Sequence, residues 1–238
     1  MRIDRLTWPD VAEYLKRDNR LILPVGSVEQ HGPAVATGID YIVPTAVAER
    51  AGEKAGVMVA PPLTYGMSLH HTAFAGTLSL RPTVYLSMVI DLFAFAYHQG
   101  FRRILVLNGH GGNVPTLKAA AGQASYELEG VRIYIRSYYE LPSAVEIIEE
   151  ELGPGEGSHA TPSEVSMLMY IEPELVGDLS AHEKSEAGLI TWHPAPSDME
   201  QYYPRGPVGA DPDLASPELG ERLFDAAVAD VVEILGKM

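Results

Sequence analysis

The sequence contains no cysteine among its 238 residues, and this absence limits the chemistry open to it. Disulfide bonds and thiolate metal sites are excluded, so a metal site here has to use histidine and carboxylate ligands. The chain supplies 8 histidines and 32 acidic residues from which such ligands can be drawn.

Basic residues are also scarce, since 17 lysines and arginines against 32 acidic residues give a formal net charge of -15. A chain this acidic is not expected to bind nucleic acid or an anionic membrane surface. Its clustered carboxylates favour a cation among them, because like charges in a cleft repel each other.

Long hydrophobic runs are missing as well: no apolar stretch is long enough to span a bilayer, and the first residues show no signal-peptide core. We therefore expect a cytoplasmic protein. The chain is 46% hydrophobic and can bury a sizeable core. No segment has the composition of a linker, so we expect residues 1–238 to form one domain.

Short apolar runs alternate with helical patterns along the chain. The runs predict four strands, at residues 21–25, 57–60, 102–107 and 131–135. They are continuously apolar rather than alternating with polar residues, which is typical of parallel strands covered on both faces. The sequence therefore predicts an α/β fold with a mostly parallel sheet.

The first predicted strand runs into the segment GSVEQHG, followed by a loop and a helical pattern over residues 44–54. Glu29 and His31 are two residues apart, so in an extended backbone their side chains leave on the same side. Asp40 follows after a loop, just before that helical pattern. These three residue types suit a metal site. The alternative is a solvated loop charge, a turn residue and a helix N-cap.

Two later segments carry further ligand types. His110 lies in NGHGGN after the third predicted strand, and His159 and Glu164 follow a glycine-rich loop. Thr161-Pro162 predicts that a helix begins there, with Glu164 in its first turn. In open α/β sheets functional groups gather at the carboxyl ends of the strands, so we expect these side chains to meet there. GHGGN is alternatively a phosphate-binding turn, although it lacks the Walker lysine and the dinucleotide spacing.

Together these motifs resemble the creatininase (creatinine amidohydrolase) family. The segments that carry the resemblance follow one another in the family's order: GSVEQHG, Asp40, YGMS with His71, NGHGGN, His159-Ala160 with Glu164, and GADP near the end. The resemblance implies a creatininase-like three-layer α/β/α fold. It also implies two divalent metal ions per chain, Zn2+ in first place, with Mn2+ or Fe2+ in some members.

The resemblance also implies the ligands. Glu29, Asp40 and His110 would hold one metal ion, while His31, Asp40 and a further carboxylate would hold the other. In creatininase proper that carboxylate lies two residues after the histidine that matches His110, where this chain has a glycine at 112. Glu164 is the candidate replacement.

Further roles are expected around this centre. His159 would move a proton to the leaving nitrogen and, with Glu164, forms the predicted catalytic pair; alternatively it caps a helix or adds a ligand. Ser68 and His71 would line the substrate pocket or make loop hydrogen bonds. The remaining histidines belong to no motif and are expected to be structural or surface residues: His70, His98, His182 and His193.

The expected activity is metal-dependent hydrolysis of a non-peptide C–N bond, in a cyclic amide, a formamide or a small peptide-like substrate. Creatininase proper has tryptophans in a flap over its substrate. Creatinine itself is not expected here, because Trp8 and Trp192 are the only tryptophans and Gly155 and Glu156 occupy the place of that flap. The alternative is a non-catalytic or phosphate-binding protein that keeps a metal scaffold. The resemblance also implies a homohexamer, with residues 177–213 as the candidate interface because they carry Trp192, Tyr202 and Tyr203.

Overall fold

The computed structural model describes residues 1–181 and 193–238 of the chain. Its centre is a four-stranded parallel sheet in the order β2-β1-β3-β4. The strands are β1 (Arg20–Val25), β2 (Met58–Val59), β3 (Arg103–Asn108) and β4 (Arg132–Ser137). All four lie within two residues of their predicted positions, and the prediction of a mostly parallel sheet is confirmed.

Helices cover both faces of the sheet. They are α1 (Trp8–Leu15), α2 (Ile39–Ala55), α3 (Pro82–Gln99), α4 (Val114–Glu127), α5 (Pro142–Glu151), α6 (Pro162–Ile171), α7 (Pro196–Tyr202) and α8 (Pro217–Lys237). Successive strand side chains point to opposite faces, so Leu105 packs into the core beneath α2, α5, α6 and α8, while Ile104 packs into the core beneath α1, α3 and α4. The three-layer α/β/α arrangement is therefore confirmed.

Strands β1 and β3 lie side by side in register from Arg20 opposite Arg103 to Val25 opposite Asn108. Because they are parallel and end at the same level, the segments that follow them emerge together at one edge of the sheet. This is the edge at which the sequence places its polar motifs.

Helix α2 begins earlier than predicted. The helical spacing of Val43, Val47 and Ala51 predicts a helix over residues 44–54, but the helix starts at Ile39 and contains Pro44. Asp40 therefore lies in the first turn of α2 rather than just before the helix. The helix fixes the backbone of Asp40, which a loop would not do.

Helix ends follow the local sequence. Gly56 ends α2 and Gly100 ends α3, both in the left-handed conformation that glycine adopts without a steric penalty. Within the described ranges, no helix is both long and apolar enough to cross a membrane. The predictions for His182 and Trp192 concern positions outside the described residues.

Candidate metal centre

The first turn of α2 lies directly against the ends of β1 and β3. A Cβ atom on Gly109 would lie 1.9 Å from the main-chain oxygen of Asp40, and one on Gly26 would lie 2.3 Å from it. Only glycine permits this approach, because any other residue would overlap the helix backbone. These two glycines therefore place Asp40 among the side chains that follow both strands, a role that sequence analysis did not assign to them.

The first ligand group consists of Glu29, Asp40 and His110. His110 Nδ1 lies 3.2 Å from Glu29 Oε1 and 3.3 Å from Asp40 Oδ2. All three side chains are buried, and their ligand atoms lie within 4.8 Å of one another. This is the set that the family resemblance implies for one metal ion.

The second ligand group consists of His31, Asp40 and Glu164, again with ligand atoms within 4.8 Å of one another. His31 Nε2 lies 3.1 Å from Asp40 Oδ1. Asp40 thus turns Oδ2 towards His110 and Oδ1 towards His31, as a carboxylate that bridges two ions would do. A further group joins Glu29, His31 and His159.

Main-chain carbonyl groups orient the three imidazole rings. His110 Nε2 lies 2.9 Å from the carbonyl oxygen of Met67, His159 Nε2 lies 2.8 Å from that of Gln30, and His31 Nδ1 lies 3.3 Å from that of Glu29. A carbonyl oxygen can only accept, so each of these ring nitrogens donates. The other nitrogen of each ring is left facing the carboxylates, as in histidine metal ligands.

The buried carboxylate of Glu29 tests whether these residues suit a metal ion. Its Oε2 atom accepts no hydrogen bond from any described residue, and an unpaired buried carboxylate oxygen is costly. A divalent cation would satisfy it. The donor set of carboxylate and imidazole also suits zinc, manganese or iron. The residues present therefore fit the metal ions that the family resemblance implies.

Without metal, the carboxylates and imidazoles hold each other in charged forms. Burial would raise the pKa of Glu29, but His110 opposes it and lowers that pKa to about 2. Burial would lower the pKa of His31, but Asp40 opposes it and raises that pKa to about 9. The pKa of His110 is likewise well above its usual value, because Glu29 outweighs burial. Both rings therefore carry protons that a metal ion has to displace.

Glu164 combines two roles, as a carboxylate that caps the N-terminus of a helix and as a candidate metal ligand. It lies in the first turn of α6, where its Oε2 accepts the main-chain N–H of Thr161 at 2.9 Å and the Thr161 hydroxyl at 3.1 Å. The same carboxylate belongs to the group with His31 and Asp40. Burial raises the pKa of Glu164 to about 7, against the opposing effect of His31.

Gly112 cannot carry the carboxylate that the family resemblance implies for this position. A Cβ atom at 112 would lie 2.4 Å from His110 Nε2 and 2.5 Å from the carbonyl oxygen of Met67. A side chain there would disrupt the hydrogen bond that orients His110. Because no side chain fits at this position, the carboxylate of the second group has to come from another segment, and α6 supplies the candidate.

A cavity of about 620 Å³ opens beside the ligand groups. The rings of His71 and His159 lie in its wall and stack on each other with centroids 4.2 Å apart. Burial lowers the pKa of His71 to about 2 and that of His159 to about 3, so both rings are neutral at pH 7. The wall also contains Tyr139, Val145, Ile148, Met199, Tyr203 and Val208.

Two predicted positions differ in part from expectation, and a third residue was not predicted at all. Ser68 is fully buried and lies outside the cavity wall; its hydroxyl contacts that of Ser27 and lies 3.3 Å from His110 Nε2. It supports His110 from behind, which favours the alternative of a hydrogen-bonding role, and its place in the substrate pocket stays a prediction. His70, which was expected to be a structural or surface residue, lines the cavity. Sequence analysis also missed Gln30, whose side chain contacts both cavity histidines; its position between two candidate ligands was the available signal.

Fold and site together define the class of protein: an α/β/α protein with a carboxylate–histidine metal centre at the carboxyl edge of a parallel sheet. Residues 4–235 match the model of the family described as "Creatininase: Creatinine amidohydrolase". The chain belongs to the creatininase family, which confirms the resemblance seen in its motifs, and it is a metal-dependent hydrolase of that family.

Three relatives differ in what their names say they act on. The 3-dehydro-scyllo-inosose hydrolase of Thermotoga maritima is 31% identical over 78% of this chain, and the match covers 60% of that protein, less than two thirds of its length. The mycofactocin precursor peptide peptidase of Mycolicibacterium smegmatis is 32% identical over 86% of this chain and 79% of the relative. The creatinine amidohydrolase of Pseudomonas putida is 26% identical over 98% of this chain and 95% of the relative.

Solved creatininase structures share the fold. A crystal structure of creatinine amidohydrolase superposes with a TM-score of 0.90 at 26% identity, over 99% of this chain and 96% of that one. A creatininase mutant of the "Zn-Zn type" gives 0.89 at 26% identity, and "Creatininase Mn" gives 0.90 at 25%; each covers 99% of this chain and 97% of the other. Zinc and manganese are thus the metals named for these similar structures.

Proposed function

We propose that the protein is an amidohydrolase that uses two divalent metal ions per chain to cleave a C–N amide bond in a small molecule. The observation that carries the proposal is the pair of ligand groups that share Asp40 and open into one cavity. Glu29 and His110 complete one group, and His31 and Glu164 complete the other. Zinc is the first choice of metal, with manganese or iron as alternatives.

The chemistry follows from the position of these side chains. When bound, such ions supply Lewis acidity and lower the pKa of a water molecule to about 7. His159 turns Nδ1 towards Glu29 Oε1 at 3.6 Å, so it faces the reacting atoms. Its neutral ring takes the proton of the attacking water and passes it to the leaving nitrogen. His71, whose Nε2 lies 3.9 Å from Glu29 Oε1, contacts the substrate.

The cavity gives some guidance on the substrate. Its volume of about 620 Å³ suits a small molecule or the end of a peptide. Glu140 and Glu156 line it together with the aliphatic side chains of Val145 and Ile148. Carboxylates in the wall repel phosphate, which argues against the phosphate-binding alternative. The names of the relatives include a peptidase, so peptides belong in the test beside non-peptide amides.

A metal-reconstituted screen tests the proposal. Metal-free protein is loaded separately with zinc, manganese or ferrous iron, and metal content is measured before turnover. The panel contains formamides, lactams including creatinine, and short peptides. We expect about two ions per chain, turnover of at least one amide class, and loss of both metal and turnover in Asp40→Asn. Protein that binds no metal, or binds it and turns over nothing in the panel, contradicts the proposal.

A further inference from the structure

The side-chain amide of Gln30 is buried between the two cavity histidines. Gln30 Oε1 accepts the main-chain N–H of Gly32 at 2.9 Å, which fixes which end of the amide is oxygen. Its Nε2 therefore faces the cavity side, 3.0 Å from His71 Nδ1 and 2.9 Å from His159 Nε2. One side chain thus contacts both rings from behind.

The contact with Gln30 fixes where His71 carries its proton. The amide nitrogen of Gln30 only donates, so His71 Nδ1 accepts and the ring proton lies on Nε2. That Nε2 points to the metal centre, where it lies 3.9 Å from Glu29 Oε1. His71 is therefore presented to the cavity as a hydrogen-bond donor rather than as an acceptor.

Gln30 holds His159 in a different way. His159 Nε2 lies 2.8 Å from the main-chain oxygen of Gln30 as well as 2.9 Å from its amide nitrogen. His159 Nε2 donates to that main-chain oxygen, and this hydrogen bond keeps Nδ1 facing Glu29. The two rings stack on each other, so a shift of His71 would disturb His159.

Gln30 also contacts a segment late in the chain. Its Nε2 lies 3.3 Å from the carbonyl oxygen of Gly206, and a Cβ atom on Gly206 would lie 1.9 Å from Gln30 Oε1. Gly206 has a φ of 99°, which other residues rarely adopt. The neighbouring Tyr203 and Val208 line the cavity, so this part of the wall is packed against the Gln30 amide.

We propose that Gln30 is a positioning residue: its amide sets the tautomer of His71 so that Nε2–H faces the oxygen of the reacting amide. The effect of Gln30 on turnover rests on the proposed function, whereas the tautomer of His71 is a property of the folded protein. The Nε2–H group of His71 would stabilise negative charge that develops on the substrate oxygen.

Nitrogen-15 NMR of histidine-labelled, zinc-loaded protein tests the inference without any substrate. The His71 signals are assigned by their loss in His71→Gln. We expect Nδ1 bare and Nε2 protonated in the wild type. In Gln30→Glu a carboxylate oxygen faces His71 Nδ1 instead of an N–H donor, so we expect the proton to move to Nδ1. Gln30→Met, of similar length, removes both hydrogen-bonding groups and should leave a mixture of tautomers.

Thr77→Val is the matched control. The Thr77 hydroxyl accepts the main-chain N–H of Gln30 at 3.1 Å. This change therefore removes one hydrogen bond of the same residue and leaves its side-chain amide intact. It should keep the wild-type His71 signals. Either of two results overturns the inference. One is an unchanged His71 tautomer in Gln30→Glu protein that retains its zinc. The other is a proton on His71 Nδ1 in the wild-type protein. Gln30→Glu nearly preserves the shape of the side chain, so it carries the test if Gln30→Met does not fold.

Kinetics then connect the tautomer to turnover. With a substrate found in the screen, we expect Gln30→Glu to lower kcat about 10- to 100-fold, the usual effect of losing a residue that orients a site group. KM should change by no more than about threefold, and zinc content should be unchanged. Unchanged kcat with an altered tautomer overturns the functional part of the inference. Absence of any turnover in the wild type refutes the proposed function and leaves the NMR result standing.

Discussion

Asp40 is the residue on which both ligand groups depend. It contributes one carboxylate oxygen towards His110 and the other towards His31, whereas Glu164 belongs to the second group alone. Loss of Asp40 should therefore empty the centre, and loss of Glu164 should empty half of it. The two ligand groups can be separated by mutation for this reason.

Glu164→Gln should reduce bound metal from about two ions to about one per chain and cut turnover steeply. Glutamine still serves in a capping box, so the N-terminus of α6 should be preserved and stability should change little. The remaining ion would stay with Glu29, Asp40 and His110. Elemental analysis of the purified variant gives the stoichiometry.

Glu156→Gln is the control for that variant. Glu156 is also a cavity carboxylate near the start of α6, where it accepts the main-chain N–H of Ser163 at 3.3 Å, but it belongs to no ligand group among the described residues. It should keep two ions per chain. Two ions in Glu164→Gln would show that the second group is built from other residues.

Metal binding should release protons at pH 7. His31 has a pKa raised to about 9 and that of His110 is also raised, so both rings are protonated before metal arrives. The apparent affinity should rise about tenfold per pH unit for each proton displaced. Titration calorimetry in buffers of different ionisation enthalpy counts the protons; a heat that does not depend on the buffer contradicts the prediction.

The raised pKa of His31 gives the metal-free protein a pH-dependent stability. A histidine whose pKa is raised on folding stabilises the fold fully below its unfolded pKa of about 6.5. That contribution is lost as the pH rises through about 9, the pKa of His31. Denaturant unfolding of metal-free protein between pH 6 and 9 should show this decline, and His31→Gln should weaken it.

At the scale of elements, the centre depends on the close contact between α2 and the ends of β1 and β3. The helix contributes Asp40 from its first turn, and the strands lead into Glu29 and His110. Gly26 and Gly109 allow the helix backbone to touch the strand ends. The spacing between these elements therefore sets the spacing between ligands.

Gly109→Ala should separate these elements. The added methyl group would lie 1.9 Å from the Asp40 carbonyl oxygen, so α2 has to move. Overpacking of this kind costs about 1–3 kcal/mol, and displacement of Asp40 should weaken binding of both ions. Chemical denaturation and metal analysis measure the two effects.

Gly122→Ala provides the comparison for that change. Gly122 lies inside α4, and a Cβ atom there would meet nothing within 4 Å. Alanine should stabilise this helix by up to about 1 kcal/mol and leave metal content alone. If Gly109→Ala behaves in the same way, the close contact does not control the centre.

For the whole molecule, metal and stability should be coupled, because the ions would bind the folded chain only. Free zinc at about 100 times its Kd would add about 2.7 kcal/mol to the free energy of unfolding. We therefore expect a chelator to lower the Tm of the wild type. Asp40→Asn should show almost no such shift, whereas Asp91→Asn, on the exposed side of α3, should behave as the wild type.

Assembly into a homohexamer remains a prediction at this scale. Of the three aromatics in the candidate interface, Tyr202 is 49% exposed, Tyr203 is buried against the cavity, and Trp192 lies outside the described residues. Light scattering should give a multiple of the 25.8 kDa chain mass, and Tyr202→Glu should lower it. A wild-type mass of one chain would contradict the prediction.

The sequence by itself determined the layers and most of the centre. Continuous apolar runs predict buried parallel strands because both faces of such strands are covered, and Glu29, His31 and His110 follow two of those runs. The carboxyl ends of parallel strands meet at one edge, so local patterns were enough to bring these residues together.

Only the tertiary structure decided how the remaining groups join them. Asp40 and Glu164 reach the centre through the packing of α2 and α6, and the Gln30 amide connects rings from two other segments. Such contacts join residues far apart in the chain and leave no periodic pattern. The narrow clearance at Gly109 has the same origin: it depends on where a helix backbone lies, which the sequence near the glycine does not encode.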